Sequence, residues 1–468
     1  MFQHVSPSHP TSSASPNAWR PLARACALAV LGMVGSLSAQ AENLIDLYQA
    51  ARGYDAAYLA AKSQFDAAQF KADQARSLQR PSVNLQATVK RNRLDSSLPD
   101  SPNGMGGTTS YDSTSTNSQL AVAARQPLFN QSNAAKVAQA EASLTAAQAD
   151  LKMAEDDLVA RLAQAYFDVL SAQDVLATAQ ANKKALAEQL ASAKRSFEVG
   201  NSTITDTREA QARFDLASAQ EIAATNDLRV KRIALDQFVG RADVKPNPLR
   251  TPVNLDALAP GQIDTWVQST GTAPMVRKAE VGLKVARLEV DNACATHLPT
   301  LDAVAQVART HVDTNNQLVK AQSGSGTAGS IGLEFNMPLY AGNAIQNRVR
   351  ETLSLQDKAE RDLENARRGV ELGTRQAYSG VQSGLAQVKA YEAAEASAKL
   401  ALEATQLGYR VGVRINKDVL DAQTQLTNTQ KDLYKARYDV IIGAIKLRQA
   451  AGTLTSDDLV ELNKLVTP

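Results

Sequence analysis

The chain has 468 residues, with 50 basic against 48 acidic side chains and a net charge of +2. That balance excludes the basic footprint of a nucleic-acid binder. The length would hold two or three ordinary domains, but its elements, taken in order, describe something longer and thinner.

Residues 1–41 read as a secretory signal peptide. They open Ser/Pro-rich, carry positive charge at Arg20 and Arg24, continue as a short apolar run over 26–37, and end on the small-x-small site Ala39-Gln40-Ala41. The run is too short to span a bilayer as a helix. Cleavage removes both arginines and no acid, leaving a neutral mature chain. Cys294 is then its only cysteine, so no intramolecular disulfide is possible.

A leading helix of about 36 residues is expected over 43–78, before Pro81. Val83, Leu85, Ala87 and Val89 then alternate with Asn84, Gln86, Thr88 and Lys90, the period of a strand. A polar loop over 94–117 leads to a second, weaker alternation at Leu120 and Val122, closed by Pro127-Leu128-Phe129.

Residues 130–199 contain no proline or glycine. Apolar residues such as Leu144, Ala147, Leu151, Ala154, Leu158, Ala165, Val169, Ala172, Leu176 and Ala179 keep to one helix face. Seventy residues make a rod of roughly 105 Å. No compact domain buries such a rod, so it must pack along others. It breaks at Val199-Gly200, and a helix of about 39 residues returns to Gly240. A linker over 241–261, with Pro246, Pro248, Pro252 and Pro260, is expected as a non-helical belt midway along the rods.

The pattern then repeats. Phe197-Glu198-Val199-Gly200 matches Tyr409-Arg410-Val411-Gly412 at an offset of 212, which also maps Tyr166 to Tyr378, Asp206 to Asp418 and Gly240 to Gly452. Pro127-Leu128-Phe129 matches Pro338-Leu339-Tyr340, and upstream Asp73 and Pro81 map to Asp291 and Pro299 at 218. Ordered matches over some 200 residues mark an internal duplication. The first repeat is 42–240 and the second 262–452, with a tail over 453–468. The second half brings a leading helix over 262–297, alternations at Leu301, Ala303, Ala305 and Val307 and at Ile331, Leu333 and Phe335, and a polar loop over 312–328. Its long helix, 343–408, carries Gly369, Gly373, Gly380 and Gly384, expected to mark tight helix contacts or a bend.

Strands of 9–12 residues with one apolar and one polar face suit a transmembrane barrel with a wet lumen. Four strands cannot close one, and open edges are not tolerated in lipid. Three copies give about twelve strands, within the known range.

These residues resemble the TolC family of outer-membrane efflux and secretion channels. The likeness rests on the duplication, the Pro-Leu-aromatic strand ends, the two Val-Gly turns, and the end Ala451-Gly452-Thr453-Leu454 with Asp457-Asp458-Leu459. It implies an α+β membrane protein: a homotrimer with a twelve-stranded outer-membrane β-barrel set in lipid, continuous with a long α-helical periplasmic tunnel closed at its far end. It also implies partners, a periplasmic adaptor (membrane fusion) protein and an inner-membrane ABC or RND-type pump. Asp418-Val419-Leu420-Asp421 resembles the family's constriction, two rings of carboxylates in a trimer. Tyr409 and Arg414 resemble its closed-state latch, with Thr205 and Asp206 as partners on the neighbouring hairpin. Val199, Gly200, Val411 and Gly412 supply tips for adaptor docking. The first turn, Gly200-Asn201-Ser202, is more polar than the family's pattern.

An enzyme is not expected. His297 and His311 stand at a strand's two ends, without a cysteine or acidic cluster at metal-ligand spacing. No Gly-x-Ser-x-Gly or phosphate-binding loop is present, and no cofactor is implied. The alternative is a structural periplasmic coiled-coil protein, which explains the rods but not the four alternating strands.

Overall fold

In the computed structural model, which describes residues 43–99, 108–250, 253, 255–316 and 322–466, each repeat runs through the same elements. The first holds α1 (Leu44–Tyr54), α2 (Ala56–Arg76), β1 (Ser82–Pro99), β2 (Thr108–Phe129), α3 (Gln131–Glu198) and α4 (Ile204–Val239). The second holds α5 (Ile263–Ser269), α6 (Pro274–Ala295), β3 (Thr300–Asn316), β4 (Gln322–Asn336), α7 (Ala344–Arg410) and α8 (Asn416–Ala451). A short α9 (Asp457–Asn463) follows. The expected signal peptide, 1–41, lies outside the described residues.

The rods form as composition dictates. Asn130 caps α3 by accepting the Asn133 amide at 3.0 Å, and α3 then continues for 68 residues. Its counterpart α7 continues for 67. Of the four mid-helix glycines singled out above, Gly384 alone has a contact role: a Cβ there would lie 2.8 Å from Val440 Cγ2. Gly369, Gly373 and Gly380 face open space, and the helix is unbroken through all four.

The single leading helix expected in each half is two. In the first half Asp55 leaves the helix at φ −60°, ψ 115°. Its carboxylate accepts the Tyr58 amide at 2.8 Å and the Arg161 guanidinium at 3.0 and 3.1 Å. It therefore ends α1 and caps α2. In the second half a 3-10 turn over Thr270–Thr272 precedes Pro274, which opens α6 where its missing N–H costs nothing.

The helices stand side by side. On one flank of α3 runs α4, continued by α1 and α2; on the other runs α8, continued by α6; α7 packs outside that column. Together α4, α1 and α2 hold as many residues as α3. The main core lies at the waist, around Tyr166, Phe167, Leu433, Tyr438 and Ile441. There the linker and the tail clasp the rods. The Tyr166 hydroxyl accepts the Asn247 amide at 2.9 Å, and the Arg250 amide donates to the Leu465 carbonyl at 2.9 Å. Tyr378, the repeat mate of Tyr166, donates to the Gly261 carbonyl at 2.9 Å.

The strands are longer than expected, at 18, 22, 17 and 15 residues. Much of what reads as loop over 94–117 and 312–328 is paired strand. The ladder needs only backbone groups, so Ser, Thr and Gly continue it. The sheet order is β1-β2-β3-β4, all antiparallel. Register puts the expected apolar residues on one face. Val83 pairs with Ala124, which pairs with Ala305, which pairs with Ile331. Leu85, Val122 and Val307 form the next row. Asn84, Gln86, Thr88, Gln119, Gln306 and Thr310 occupy the opposite face. Ile331 is 88% exposed, and Val83, Leu85, Val89, Leu333 and Phe335 are exposed with it. Among the described residues no helix is long and apolar enough to cross a membrane. The apolar surface of that kind belongs to the sheet.

Candidate functional site at the hairpin tips

The two rods end alike. Gly200 and Gly412 adopt φ +78° and +80°, the left-handed conformation that reverses a helix cheaply only at glycine. Asn201 N–H reaches the Ser196 carbonyl and Val413 N–H the Gly408 carbonyl, both at 2.8 Å. Gly200 N–H and Gly412 N–H close the inner bonds at 3.0 and 3.1 Å. Both turns are Schellman caps, built twice from one pattern. Val199, Val411, Val413 and Ile415 are left exposed at the tips.

Beyond the turns the hairpins differ. Thr203 and Asp206 form a reciprocal capping box at the start of α4. Asp206 Oδ2 accepts both the amide and the hydroxyl of Thr203, at 2.9 and 2.8 Å. The start of α8 has no side-chain cap. Instead Asn416, almost wholly buried, takes a hydrogen bond from Gln189 and donates to the Asp206 carbonyl at 3.4 Å. It ties α8 to the first hairpin.

The Asp-Val-Leu-Asp run divides by side. Val419 fills the α7–α8 seam with Leu402, Leu426 and Tyr409. Leu420 fills the other seam with Leu186, Leu190 and Ala210. Asp418 and Asp421 are left on the remaining face, partly exposed. Asp418 lies 3.5 Å from Arg414, one turn back. Asp421 is paired twice, with Lys417 on its own helix and with Arg213 of α4 at 2.8 Å. The Lys417 ammonium, with Arg213 behind it, holds the Asp421 carboxyl below the usual range; slight burial opposes this.

Within the chain, then, Asp421 bridges the hairpins, while Tyr409 and Arg414 stay within the second. Arg414 lays its stem against Gly408, where a Cβ would approach its Cγ to 2.8 Å. The Asp206 carboxylate is engaged within its own hairpin, by Thr203. Arg213, Lys417, Gln189 and Asn416 escape a reading of the sequence. Arg213 and Asp421 are 208 residues apart, and only the duplication places α4 beside α8. No cluster of three or more His, Cys, Asp or Glu residues suited to a metal occurs among the described residues.

A one-layer wall of rods, carrying a membrane-type sheet at one end and paired hairpins at the other, defines a channel-forming subunit. The chain belongs to the outer membrane efflux protein family, whose model matches residues 47–241 and 267–453. It is 32% identical to the outer membrane protein TolC of Vibrio cholerae, over 93% of this chain and 97% of that one. It is 29% identical to the proteases secretion protein PrtF of Dickeya chrysanthemi, over 92% and 93%. Its fold matches the crystal structure of the outer membrane protein VceC from Vibrio cholerae with a TM-score of 0.70 at 18% identity, over 87% and 96%. The protein is thus an outer-membrane exit duct for efflux or type I secretion, a passive channel and not an enzyme.

Proposed function

We propose that three copies of the chain close into one conduit, with the sheets forming a twelve-stranded barrel in the outer membrane and the rods forming the tunnel. The observation that carries this is the pair of open edges. β1 and β4 end the sheet, and among the described residues neither has a partner strand on its outer edge. An open edge beside an exposed apolar face is untenable in lipid. Pairing β4 of one copy with β1 of the next removes every edge. The same step sets α7 of one copy against α2 and α4 of the next, where Leu353, Leu355, Leu216, Ile222 and Ile233 are exposed for burial.

The hairpin tips are the gate and the dock. Asp418 and Asp421 of three chains ring the narrow end. Tyr409 and Arg414 latch it against Thr205 and Asp206 of the adjacent hairpin. The exposed valines at Val199-Gly200 and Val411-Gly412 receive the adaptor, which links the duct to an ABC or RND-type pump. The test is purification of the mature chain in detergent and insertion into planar bilayers. The expected result is a mass of three chains, stable to reductant, whose conductance rises in Tyr409→Phe with Arg414→Ser. A detergent-free monomer with unchanged helical circular dichroism would remove the barrel, and an unchanged conductance would remove the latch.

A further inference from the structure

The upper limit of the apolar face is stepped and ends in arginine. Going up the face from the helices, the last apolar residue is Val89 on β1, Leu120 on β2, Val307 on β3 and Ile331 on β4. In the pairing grid each lies two residues lower than the one before, the slant that strand tilt imposes on a level membrane boundary. The next residues on the same face are Arg91, Ser118, Arg309 and Gly329. Arg91 and Arg309 therefore stand at one height, just beyond the belt and on the side away from the rods. They are repeat mates at the offset of 218 that joins Pro81 to Pro299. Arg93 and His311 follow, each near an aspartate: Asp95 at 3.5 Å and Asp313 at 3.3 Å.

Arg91 and Arg309 differ from these neighbours. Both are exposed, and neither has an ion-pair or hydrogen-bond partner among the described residues. The opposite face contrasts: Arg125 there meets Asp302 at 2.6 Å and Glu334 at 3.9 Å. In the pairing grid, hydroxyl residues flank the two arginines. Arg91 pairs with Thr116, Arg309 is opposed by Thr327, and the row between holds Ser118 and His311, with Ser325 hydrogen-bonded to His311 at 2.9 Å. The lower border of the belt carries Phe129 and Phe335 instead. One border is aromatic and the other cationic.

We infer that Arg91 and Arg309 bind phosphate groups of lipids in the outer leaflet, with the acyl chains lying on the belt below. The inference rests on the barrel reading, which turns the apolar face to lipid. A free guanidinium grips phosphate with two parallel hydrogen bonds, and the flanking hydroxyls supply partners for a sugar headgroup. A free phosphate ion would gain nothing from the belt, so the occupant is a phosphorylated lipid. Strand spacing and rise place the two arginines about 16 Å apart along the rim, room for a separate lipid at each. Three chains give six such positions.

The test uses the assembled full-length channel, delipidated in detergent and then exposed to bisphosphorylated lipid A, dephosphorylated lipid A, phosphatidylglycerol or phosphatidylcholine. Native mass spectrometry counts the lipids retained. The parent should retain bisphosphorylated lipid A at least five-fold more than its dephosphorylated form, a comparison that needs no variant. Arg91→Gln with Arg309→Gln should abolish that preference, and Arg91→Lys with Arg309→Lys should keep part of it. Equal retention of both lipid A forms by the parent overturns the site, as does unchanged preference in a trimeric Gln variant. Preference for phosphatidylglycerol equal to that for lipid A supports phosphate recognition and removes the role of the sugar. A parent that neither trimerises nor inserts overturns the barrel reading and the site with it; a parent that does both and shows no preference overturns the site alone.

Discussion

Arg213 and Asp421 join the two hairpins of one chain at 2.8 Å, and that contact changes what the tip carboxylates can do. Crowding of carboxylates in a ring raises their pKa values. Within the chain Asp421 is instead held low, first by Lys417 and then by Arg213. A lowered carboxyl contributes its tie fully above its unfolded value of about 3.9 and loses it as pH falls through the lower folded value. Conductance controlled by this tie should therefore be flat from pH 8 to 5 and rise below about pH 4. Arg213→Gln should raise conductance on the flat part and erase the acid step. Exposed ion pairs are worth about 0.2–1 kcal/mol each, but three act on one gate. Equal acid steps in parent and variant would move the titrating group elsewhere.

Two elements of the same kind show how the duplication works, and where it can be broken. Each returning helix ends at a left-handed glycine pressed against the leading segment stacked beyond it: Gly240 on Tyr54, Gly452 on Ala273. An alanine at Gly452 would place its Cβ 2.4 Å from the Ala273 Cα, which is backbone and cannot turn aside. At Gly240 it would meet the ring of Tyr54 at 2.5 Å, but that side chain is exposed and can swing away. Left-handed strain costs about 1–2 kcal/mol at both, and overpacking adds about 1–3 kcal/mol at Gly452. Gly452→Ala should therefore lower the thermal midpoint clearly more than Gly240→Ala, as read by circular dichroism. Equal losses would mean that the backbone at Ala273 yields as easily as the Tyr54 ring.

At this scale the sequence was informative where period and punctuation carry the signal. The rods over 130–199 and 343–408 match α3 and α7 to within two residues at each end, because no proline or glycine stops the first and the Val-Gly turns stop both. Alternation marks the strands but stops short of their ends, since Thr114, Ser115 or Gly326 continue a ladder without any apolar signal. Pro274 is the local mark of the break before α6, and Asp55 is the cap between α1 and α2. At the tips the carboxylates and turns could be read, because they are local motifs. Their partners could not, because Arg213 and Asn416 act across seams between distant segments.

For the whole assembly, the proposed gate places six carboxylates around one opening, and the two rings are not equivalent. Asp421 is covered by Lys417 and Arg213, whereas among the described residues Asp418 is paired with Arg414 alone, at 3.5 Å. A like-charged pair about 6 Å apart repels by roughly 0.7 kcal/mol in water, so a ring of Asp418 side chains attracts cations and discourages anions. Multivalent cations should therefore block the closed channel, and the site should be chiefly the Asp418 ring. Asp418→Ala should weaken block by a trivalent hexaammine cation at least ten-fold in planar bilayers. Asp421→Ala should weaken it less, while raising conductance because it also cuts the tie to Arg213. Asp206→Ala, which breaks the Thr203 capping box, should leave block largely intact and serves as the control. If Asp418→Ala were blocked as tightly as the parent, the constriction would lie elsewhere, and Asp418 and Asp421 would be ordinary solvated helix residues serving only to pair their neighbours.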